Sequence, residues 1–261
     1  MKIYNAEDSL PEQKRIIALG NFDGVHLGHQ AIIKNAVELA NKSDALASIL
    51  LFEPHPMALL QPNQVHPLLT SLEAKIEYFT RLGLDELIIH PFTEEIKSML
   101  PQQFFLQILC QKLNAGGFSI GFDYTFGNQH KGNASLLREF SLAKNLTIVI
   151  QKEVLFDGEP VSSTEIKKAI RSGRFDRANR LLGRKYCLSI ESFTKEEDVY
   201  RLNFNQQAVL PQAGEFSVSV CQANNLLDQK GLLFLEEGRV KLKIKEELCR
   251  QKKYLLFFQN Q

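Results

Sequence analysis

Short apolar runs alternate with amphipathic stretches along residues 1–186 of the chain. The short runs are rich in β-formers and predict strands over Ile16–Asn21, Ala47–Phe52, Leu87–His90, Gly117–Gly121 and Leu146–Ile150. Apolar residues at helical spacing predict helices over Gly28–Ala40, Ser71–Leu82, Pro101–Leu113, Leu136–Lys144, Thr164–Ser172 and Phe175–Leu182. Thr70 and Glu73 are spaced as a capping box for the second helix. This alternation is typical of βα units and predicts an α/β fold with a doubly wound parallel sheet.

After Tyr186 the pattern changes to short strands separated by polar turns. The predicted strands are Cys187–Phe193, Val199–Phe204, Gly214–Val220, Gly231–Leu235, Arg239–Ile244 and Tyr254–Phe258. They indicate a small antiparallel barrel or sheet. We therefore expect two domains, residues 1–186 and residues 187–261.

Composition narrows the class of protein. The net charge of the 261 residues is +1, which disfavours a protein that coats nucleic acid. No apolar run approaches the ~20 residues that span a bilayer, and the first residues lack the apolar core of a signal peptide. The four cysteines form no CxxC pair, so we expect reduced thiols in a cytoplasmic protein. The sequence does not determine the oligomeric state.

The segment from Arg15 to His29 carries the strongest chemical signal, because an apolar strand and a glycine-bearing turn lead two histidines into a helix. A helix start offers unpaired N–H groups and the positive end of the helix dipole, which favour phosphate. His26 and His29 are three positions apart, so a helical turn places both imidazoles on one face. Gly28 allows a ligand close to the backbone. These features predict chemistry on a nucleoside triphosphate.

Two other interpretations of the histidine pair stay open. The rings can be structural, or they can supply two ligands to zinc. However, no third Cys, His or Glu stands at a recognisable metal spacing, so we predict no metal site built from protein side chains alone.

The residues Gly-Asn-Phe-Asp-Gly-Val-His-Leu-Gly-His resemble the signature of the HxGH nucleotidylyltransferases. The longer match is to the adenylyltransferase module of bacterial FAD synthetases. In that superfamily the histidines bind triphosphate oxygens and stabilise charge as the α-phosphorus is attacked, which implies catalytic roles for His26 and His29. The resemblance also implies nucleotide contacts from Gly20, Asn21, Phe22, Asp23, Gly24 and Gly28.

Two further segments resemble the parts of that family that bind the flavin. Phe-Glu-Pro-His-Pro follows a predicted strand and implies contacts from Phe52, Pro54, His55 and Pro56. Taken alone, the segment is better explained as a rigid turn. The loop after Gly121 implies contacts from Asp123, Tyr124, Thr125 and Phe126, because aromatic faces suit a flat isoalloxazine ring. The alternative for the second loop is that Phe122 or Phe126 belongs to the core. His130 departs from the basic residue common in the family.

A hydroxyl-rich segment resembles the family's loop that closes over the ATP phosphates. It implies nucleotide contacts from Ser162, Ser163, Thr164 and Lys167. A simple helix cap is the alternative interpretation. Lys167 stands where the family usually has arginine, and lysine keeps the charge but loses the bidentate fork.

Together the segments imply transfer of AMP from ATP to FMN, which yields FAD and pyrophosphate, with Mg²⁺ bound to the ATP. Relatives carry a riboflavin kinase module with a Pro-Thr-Ala-Asn motif, which is absent from this sequence. Only Leu210–Val220 is similar to a strand of that module, so we expect a degenerate tail without kinase activity. The alternatives are a bifunctional kinase and synthetase, a related enzyme with another acceptor, or a non-catalytic flavin- or nucleotide-binding protein.

Overall fold

The computed structural model describes residues 1–205, 207–222, 228–236, 239–245, 247–249 and 252–259. Contacts divide the chain into two units. The first contains Met1–His66 and Thr70–Leu155, and the second contains Pro67–Leu69 and Phe156–Gln261.

A six-stranded parallel sheet forms the centre of the first unit. The strands of this unit are β1 (Lys2–Asn5), β2 (Arg15–Leu19), β3 (Leu46–Phe52), β4 (Glu86–His90), β5 (Ala115–Gly121), β6 (Thr125–Phe126), β7 (Gly132–Asn133) and β8 (Thr147–Gln151). The sheet has the order β1-β4-β3-β2-β5-β8, while β6 and β7 form a separate antiparallel pair. The prediction of a parallel α/β sheet is confirmed, and β1 is an edge strand that the hydrophobic pattern did not indicate.

Helices cover both faces of the sheet. They are α1 (Leu27–Lys42), α2 (Pro56–Leu60), α3 (Leu72–Arg81), α4 (Glu94–Ser98), α5 (Pro101–Gln103), which continues as a π-helix over Phe104–Lys112, and α6 (Ala134–Ala143). Alternate strand residues face opposite sides, so Ile16 and Ile49 pack with α1 and α3. Ile17 and Leu50 pack with the π-helix and α6. Burial on both faces explains why the strands are apolar runs rather than alternating patterns.

The strand order creates a switch point between β2 and β5. The chain moves outward from β2 to β3 and β4, and then crosses to β5 on the other side of β2. Ligands of open α/β sheets bind at the carboxyl ends of the strands at such a point. In this chain those ends lead into Gly20 and Phe122.

The opposite, amino-terminal edge of the sheet is closed by a buried ion pair. Arg15 Nε lies 2.7 Å from Glu86 Oε2, and both side chains are almost fully buried. Ser48 Oγ donates to the same carboxylate, and the guanidinium donates to the backbone oxygens of Pro11, Gln13 and Leu113. These bonds satisfy the charges that burial would otherwise penalise.

The predicted capping box at Thr70 and Glu73 is wrong. Ser71 caps α3 by accepting the Ala74 N–H at 3.3 Å. Thr70 Oγ1 instead accepts the Gly24 N–H at 2.9 Å. The Thr70 hydroxyl therefore binds a residue distant in sequence, Gly24, and does not cap α3.

The second unit combines two helices with an antiparallel sheet. A short hairpin of β9 (Leu155–Phe156) and β10 (Glu159–Pro160) comes first in the chain. The elements that follow are α7 (Ser163–Arg171), α8 (Phe175–Leu182), β11 (Cys187–Ile190), β12 (Ser192–Glu196), β13 (Val199–Asn203), β14 (Gly214–Gln222), β15 (Asp228–Glu236), β16 (Arg239–Ile244) and β17 (Tyr254–Phe258). The sheet order is β11-β17-β14-β15-β16-β13-β12. The predicted strand Cys187–Phe193 is in fact two strands separated at Glu191.

Aromatic packing joins α8 to the antiparallel sheet, and α7 packs against α8. Phe175 of α8 stacks on Phe258 of β17 with ring centroids 4.2 Å apart, and Phe216 of β14 packs against both rings. The units therefore divide near residue 155, whereas a boundary at 186 stays a prediction about family modules.

Candidate active site

The loop between β2 and α1 has an unusual backbone. Phe22, Gly24 and Val25 all have positive φ, at 51°, 86° and 40°. Glycine adopts such angles easily, but a β-branched valine does so only when its surroundings force it. The loop thus stores strain at the switch point, where the predicted nucleotide contacts lie.

Two residues outside the loop bind its backbone. Lys75 Nζ donates to the Asn21 carbonyl at 3.2 Å, and Thr70 Oγ1 accepts the Gly24 N–H. Both side chains are buried, with Lys75 only 3% exposed. The sequence analysis missed this role of both residues, because no local pattern links residues 70–75 with residues 21–24.

His26 is the N-cap of α1 and binds the backbone of His29. Its Nδ1 accepts the His29 N–H at 3.3 Å. Because Nδ1 is an acceptor, the neutral ring carries its proton on Nε2. The two imidazoles stack, with centroids 3.6 Å apart and planes inclined by 17°. The spacing of the two histidines therefore places their rings together, as the sequence indicated.

Phe22 supports the histidine pair from the core. Its ring lies 5.2 Å from the ring of His29 and meets Phe79 edge-on at 5.9 Å. The side chain of Phe22 is fully buried, so only its backbone can contact a nucleotide. Asp23 is buried too, whereas Gly20 and Gly28 are half-buried and Asn21 is exposed.

The Phe-Glu-Pro-His-Pro segment forms a turn between β3 and α2. His55 caps α2 by accepting the Met57 N–H at 3.2 Å on Nδ1. The Glu53 N–H donates to the His90 carbonyl at 3.1 Å, so β4 holds the turn. The Glu53–Pro54 peptide is cis, and Pro56 begins α2. The turn interpretation describes this local structure, and flavin binding remains a prediction.

The aromatic loop after β5 divides its side chains between core and surface. Phe126 is buried and Tyr124 stacks on it with centroids 5.7 Å apart. Burial raises the pKa of the Tyr124 phenol, which therefore stays protonated and able to donate a hydrogen bond. Phe122 is 53% exposed at the carboxyl end of β5. Asp123 and Thr125 are exposed, and Thr125 Oγ1 lies 3.1 Å from His130 Nδ1.

Phe104 joins the two predicted flavin segments. Its ring lies 6.3 Å from Phe52 and 6.0 Å from Phe126. Phe104 could not be identified from the sequence, because the pattern at this position indicates only an apolar helix. The π-helix that begins at Phe104 is a feature often found at functional sites, and it has no recognisable sequence pattern.

His90 supports the same region at the end of β4. Its Nδ1 lies 2.9 Å from the Pro91 carbonyl, and its Nε2 lies 3.3 Å from Lys112 Nζ. An ammonium can only donate, so Nε2 accepts and Nδ1 carries the proton. Burial is the main cause that lowers the pKa of His90, with the charge of Lys112 also lowering it.

The hydroxyl-rich segment lies in the second unit. Ser162 is the N-cap of α7 and accepts the Glu165 N–H at 3.3 Å, so the capping interpretation holds for this residue. Ser163 and Thr164 form the first turn of α7, and Lys167 is half-buried one turn later. Their contact with a nucleotide stays a prediction.

Within the part of the chain that the structure describes, no three His, Cys, Asp or Glu side chains come together as a metal site. Among the same residues, no helix is long and apolar enough to cross a membrane.

Comparisons with known proteins identify the family of this chain. Residues 9–165 match the FAD synthetase family. A bifunctional riboflavin kinase/FMN adenylyltransferase of Listeria monocytogenes is 35% identical over 220 residues, which cover 81% of this chain and 69% of the relative. The protein of the same description from Bacillus subtilis is 34% identical, covering 68% of this chain and 56% of the relative. One from Buchnera aphidicola is also 34% identical and covers 66% and 56%.

The structure comparison shows the fold alone. A crystal structure described as a macrolide-efflux protein from Streptococcus pneumoniae superposes with a TM-score of 0.86, covering 99% of this chain and 90% of that chain. The two sequences are only 20% identical, so no activity follows from the likeness.

The chain spans between 56% and 69% of the length of the three relatives named above. The family match nevertheless covers more than half of this chain and includes the strained loop and the histidine pair. The resemblance seen in the sequence is confirmed: the chain belongs to the bacterial FAD synthetase family.

Proposed function

We propose that this protein is an FMN adenylyltransferase, which transfers AMP from ATP to FMN. The observation that carries the proposal is the stacked pair of His26 and His29 at the start of α1, beside the switch point of a parallel sheet. With Nδ1 engaged, His26 has Nε2–H as its donor toward a phosphate oxygen.

The chemistry needs positioning more than bond-making side chains. A phosphate oxygen of FMN attacks the α-phosphorus of ATP, and the bond from that phosphorus to the leaving pyrophosphate breaks. The two imidazoles and the N–H groups of α1 stabilise the charge that develops on the phosphoryl oxygens. Mg²⁺ enters as part of the ATP complex, with phosphate oxygens and water as most of its ligands.

The flavin side of the proposal rests on the aromatic residues around Phe104. Phe52 and Tyr124 are partly exposed aromatic side chains that pack around the buried Phe104 and Phe126, and the exposed Phe122 offers a ring face. We propose that His55 and the backbone of residues 52–56 also contact the flavin. The contacts of Ser162, Ser163, Thr164 and Lys167 with ATP rest on the family likeness.

The direct test is an assay with purified protein, ATP, Mg²⁺ and FMN, in which FAD and pyrophosphate are separated by chromatography. We expect one pyrophosphate for each FAD. Folded protein that yields no FAD would reject this function. Product from CTP, or from an acceptor other than FMN, would indicate a related transferase, while flavin binding without turnover would indicate a binding protein.

A second candidate is the bifunctional enzyme. The Listeria alignment covers 81% of this chain, more than residues 1–186 supply, so it extends into the tail. Against it stands the missing Pro-Thr-Ala-Asn motif. We propose that the tail does not phosphorylate riboflavin. Incubation of riboflavin with ATP decides the matter, because FMN would then appear only if a kinase site is present.

A cytoplasmic location is part of the proposal. All four cysteines are described, and none forms a disulfide. Free thiols are typical of a reducing compartment.

A further inference from the structure

The nucleotide loop, residues 20–25, is held by contacts that the reaction itself does not require. Three of its residues have positive φ, and its last residue directly precedes the N-cap His26. The direction in which the loop leaves Val25 therefore sets the position of both imidazoles. A loop with this backbone relaxes unless other groups hold it.

We propose that Thr70 and Lys75 are positioning residues that hold this loop in its reactive shape. The inference rests on the proposed function and adds residues to its site. Thr70 accepts the Gly24 N–H, and Lys75 donates to the Asn21 carbonyl. The two hydrogen bonds reach the loop at Asn21 and Gly24, which flank Phe22 and Asp23.

The two contacts come from a different element than the histidines. Thr70 immediately precedes the N-cap of α3, and Lys75 lies in its second turn. Gln30 Nε2 also donates to the Val25 carbonyl, but Gln30 belongs to α1 and moves with the histidines. The contacts from α3 tie the loop to a separate part of the core, where Phe79 packs under Phe22.

Thr70 and Lys75 each bury a polar group, which is not needed to fill the core. Lys75 is 3% exposed and Thr70 is 8% exposed, although the cluster that contains Phe22 and Phe79 is apolar. Burial of an ammonium is costly unless it binds an acceptor, and the Asn21 carbonyl is such an acceptor. We infer that these groups serve the backbone of the loop.

The test uses the full chain and two pairs of variants. Thr70→Val removes the acceptor at nearly constant volume, and Thr70→Ser restores it. Lys75→Met removes the donor and keeps an unbranched apolar side chain, and Lys75→Arg retains the charge. Thr80→Val and Lys34→Met are matched controls, because both side chains are exposed and the Thr80 hydroxyl donates to the Ile76 carbonyl of its own helix.

Hydrogen exchange at the Gly24 amide is the first measurement, because it does not depend on activity. Loss of one neutral hydrogen bond should speed this exchange about fivefold in Thr70→Val. Loss of a bond from a charged donor should speed it by about tenfold or more in Lys75→Met. The amides of β2 should exchange as in the unmodified protein, and Thr70→Ser should restore protection.

Steady-state kinetics are the second measurement. We expect kcat to fall about tenfold in Lys75→Met and less in Thr70→Val, with the KM for FMN unchanged. A purely structural role would instead lower the unfolding midpoint and leave both the exchange of Gly24 and kcat at control values.

Unchanged Gly24 exchange and unchanged kcat in both variants would overturn the inference. A fall in kcat that the controls share would overturn it too. If the unmodified protein makes no FAD, the proposed function fails, while Gly24 exchange still decides whether α3 holds the loop.

Discussion

At the scale of single residues, His26 has two separable roles. Its Nδ1 caps α1, and its Nε2 is the proposed donor to phosphate. Asparagine is a good N-cap and can accept the His29 N–H, but it has no group at the position of Nε2. One substitution can therefore remove the donor and keep the cap.

We expect His26→Asn to lower kcat by on the order of 10²–10³, because one preorganised donor is lost, while stability stays close to normal. His26→Ala should show the same fall in kcat and should also lower the free energy of unfolding by about 1 kcal/mol, because the cap is lost as well. FAD synthesis and urea unfolding measure the two effects. His66→Asn, outside the site, should match the unmodified protein. Normal turnover in His26→Asn would show that His26 is only a cap.

A second residue-scale prediction concerns the opposite edge of the sheet. Glu86→Gln leaves the buried guanidinium of Arg15 without a counter-charge. Breaking such a pair by changing one partner costs about 3–5 kcal/mol. Urea unfolding should show this loss, while kcat at saturating substrate stays within about twofold, since the pair lies away from the carboxyl edge. Equal stability would mean that the carboxylate contributes little.

At the scale of elements, the parallel sheet and its helices could be predicted because their signals are local. The run Ile16–Leu19, for example, is apolar and followed by a glycine turn, and Pro101 begins its helix as expected. The π geometry that begins at Phe104 could not be predicted, because the apolar pattern there indicates only a helix. Thr70 was misassigned because its partner Gly24 is distant in sequence.

The end of β4 provides a prediction about pH. Burial lowers the pKa of His90 below the 6.5 of an exposed histidine. As pH falls below 6.5, the unfolded chain takes up a proton that folded His90 resists, so stability falls until the lowered pKa is reached. Above that range the residue contributes no pH dependence.

Urea unfolding at several pH values between 5 and 8 should show this loss, and His90→Asn should show a smaller one. Lys112→Met should also reduce it, because the ammonium helps to disfavour protonation of the ring. Parallel pH profiles in His90→Asn and the unmodified protein would assign the dependence to other groups.

At the scale of the whole molecule, α8 packs with the strands of the tail through Phe175, Phe216 and Phe258. A chain truncated after Tyr186 exposes this apolar surface. We expect it to be much less soluble than the full chain, and a chain truncated after Leu155 to be the better-behaved fragment. Soluble yield and thermal unfolding measure this. A stable, monomeric chain ending at Tyr186 would support a domain boundary there.

The two faces of the first sheet rest on separate cores. Phe22 and Phe79 support the histidines on the side of α1, whereas Phe104 and Phe126 support the aromatic loop on the other side. We expect mutations in one core to affect the packing of the other core less than their own. Such a scaffold can change its acceptor during evolution and still keep the same phosphoryl chemistry, because a separate hydrophobic core supports each of the two proposed substrate sites.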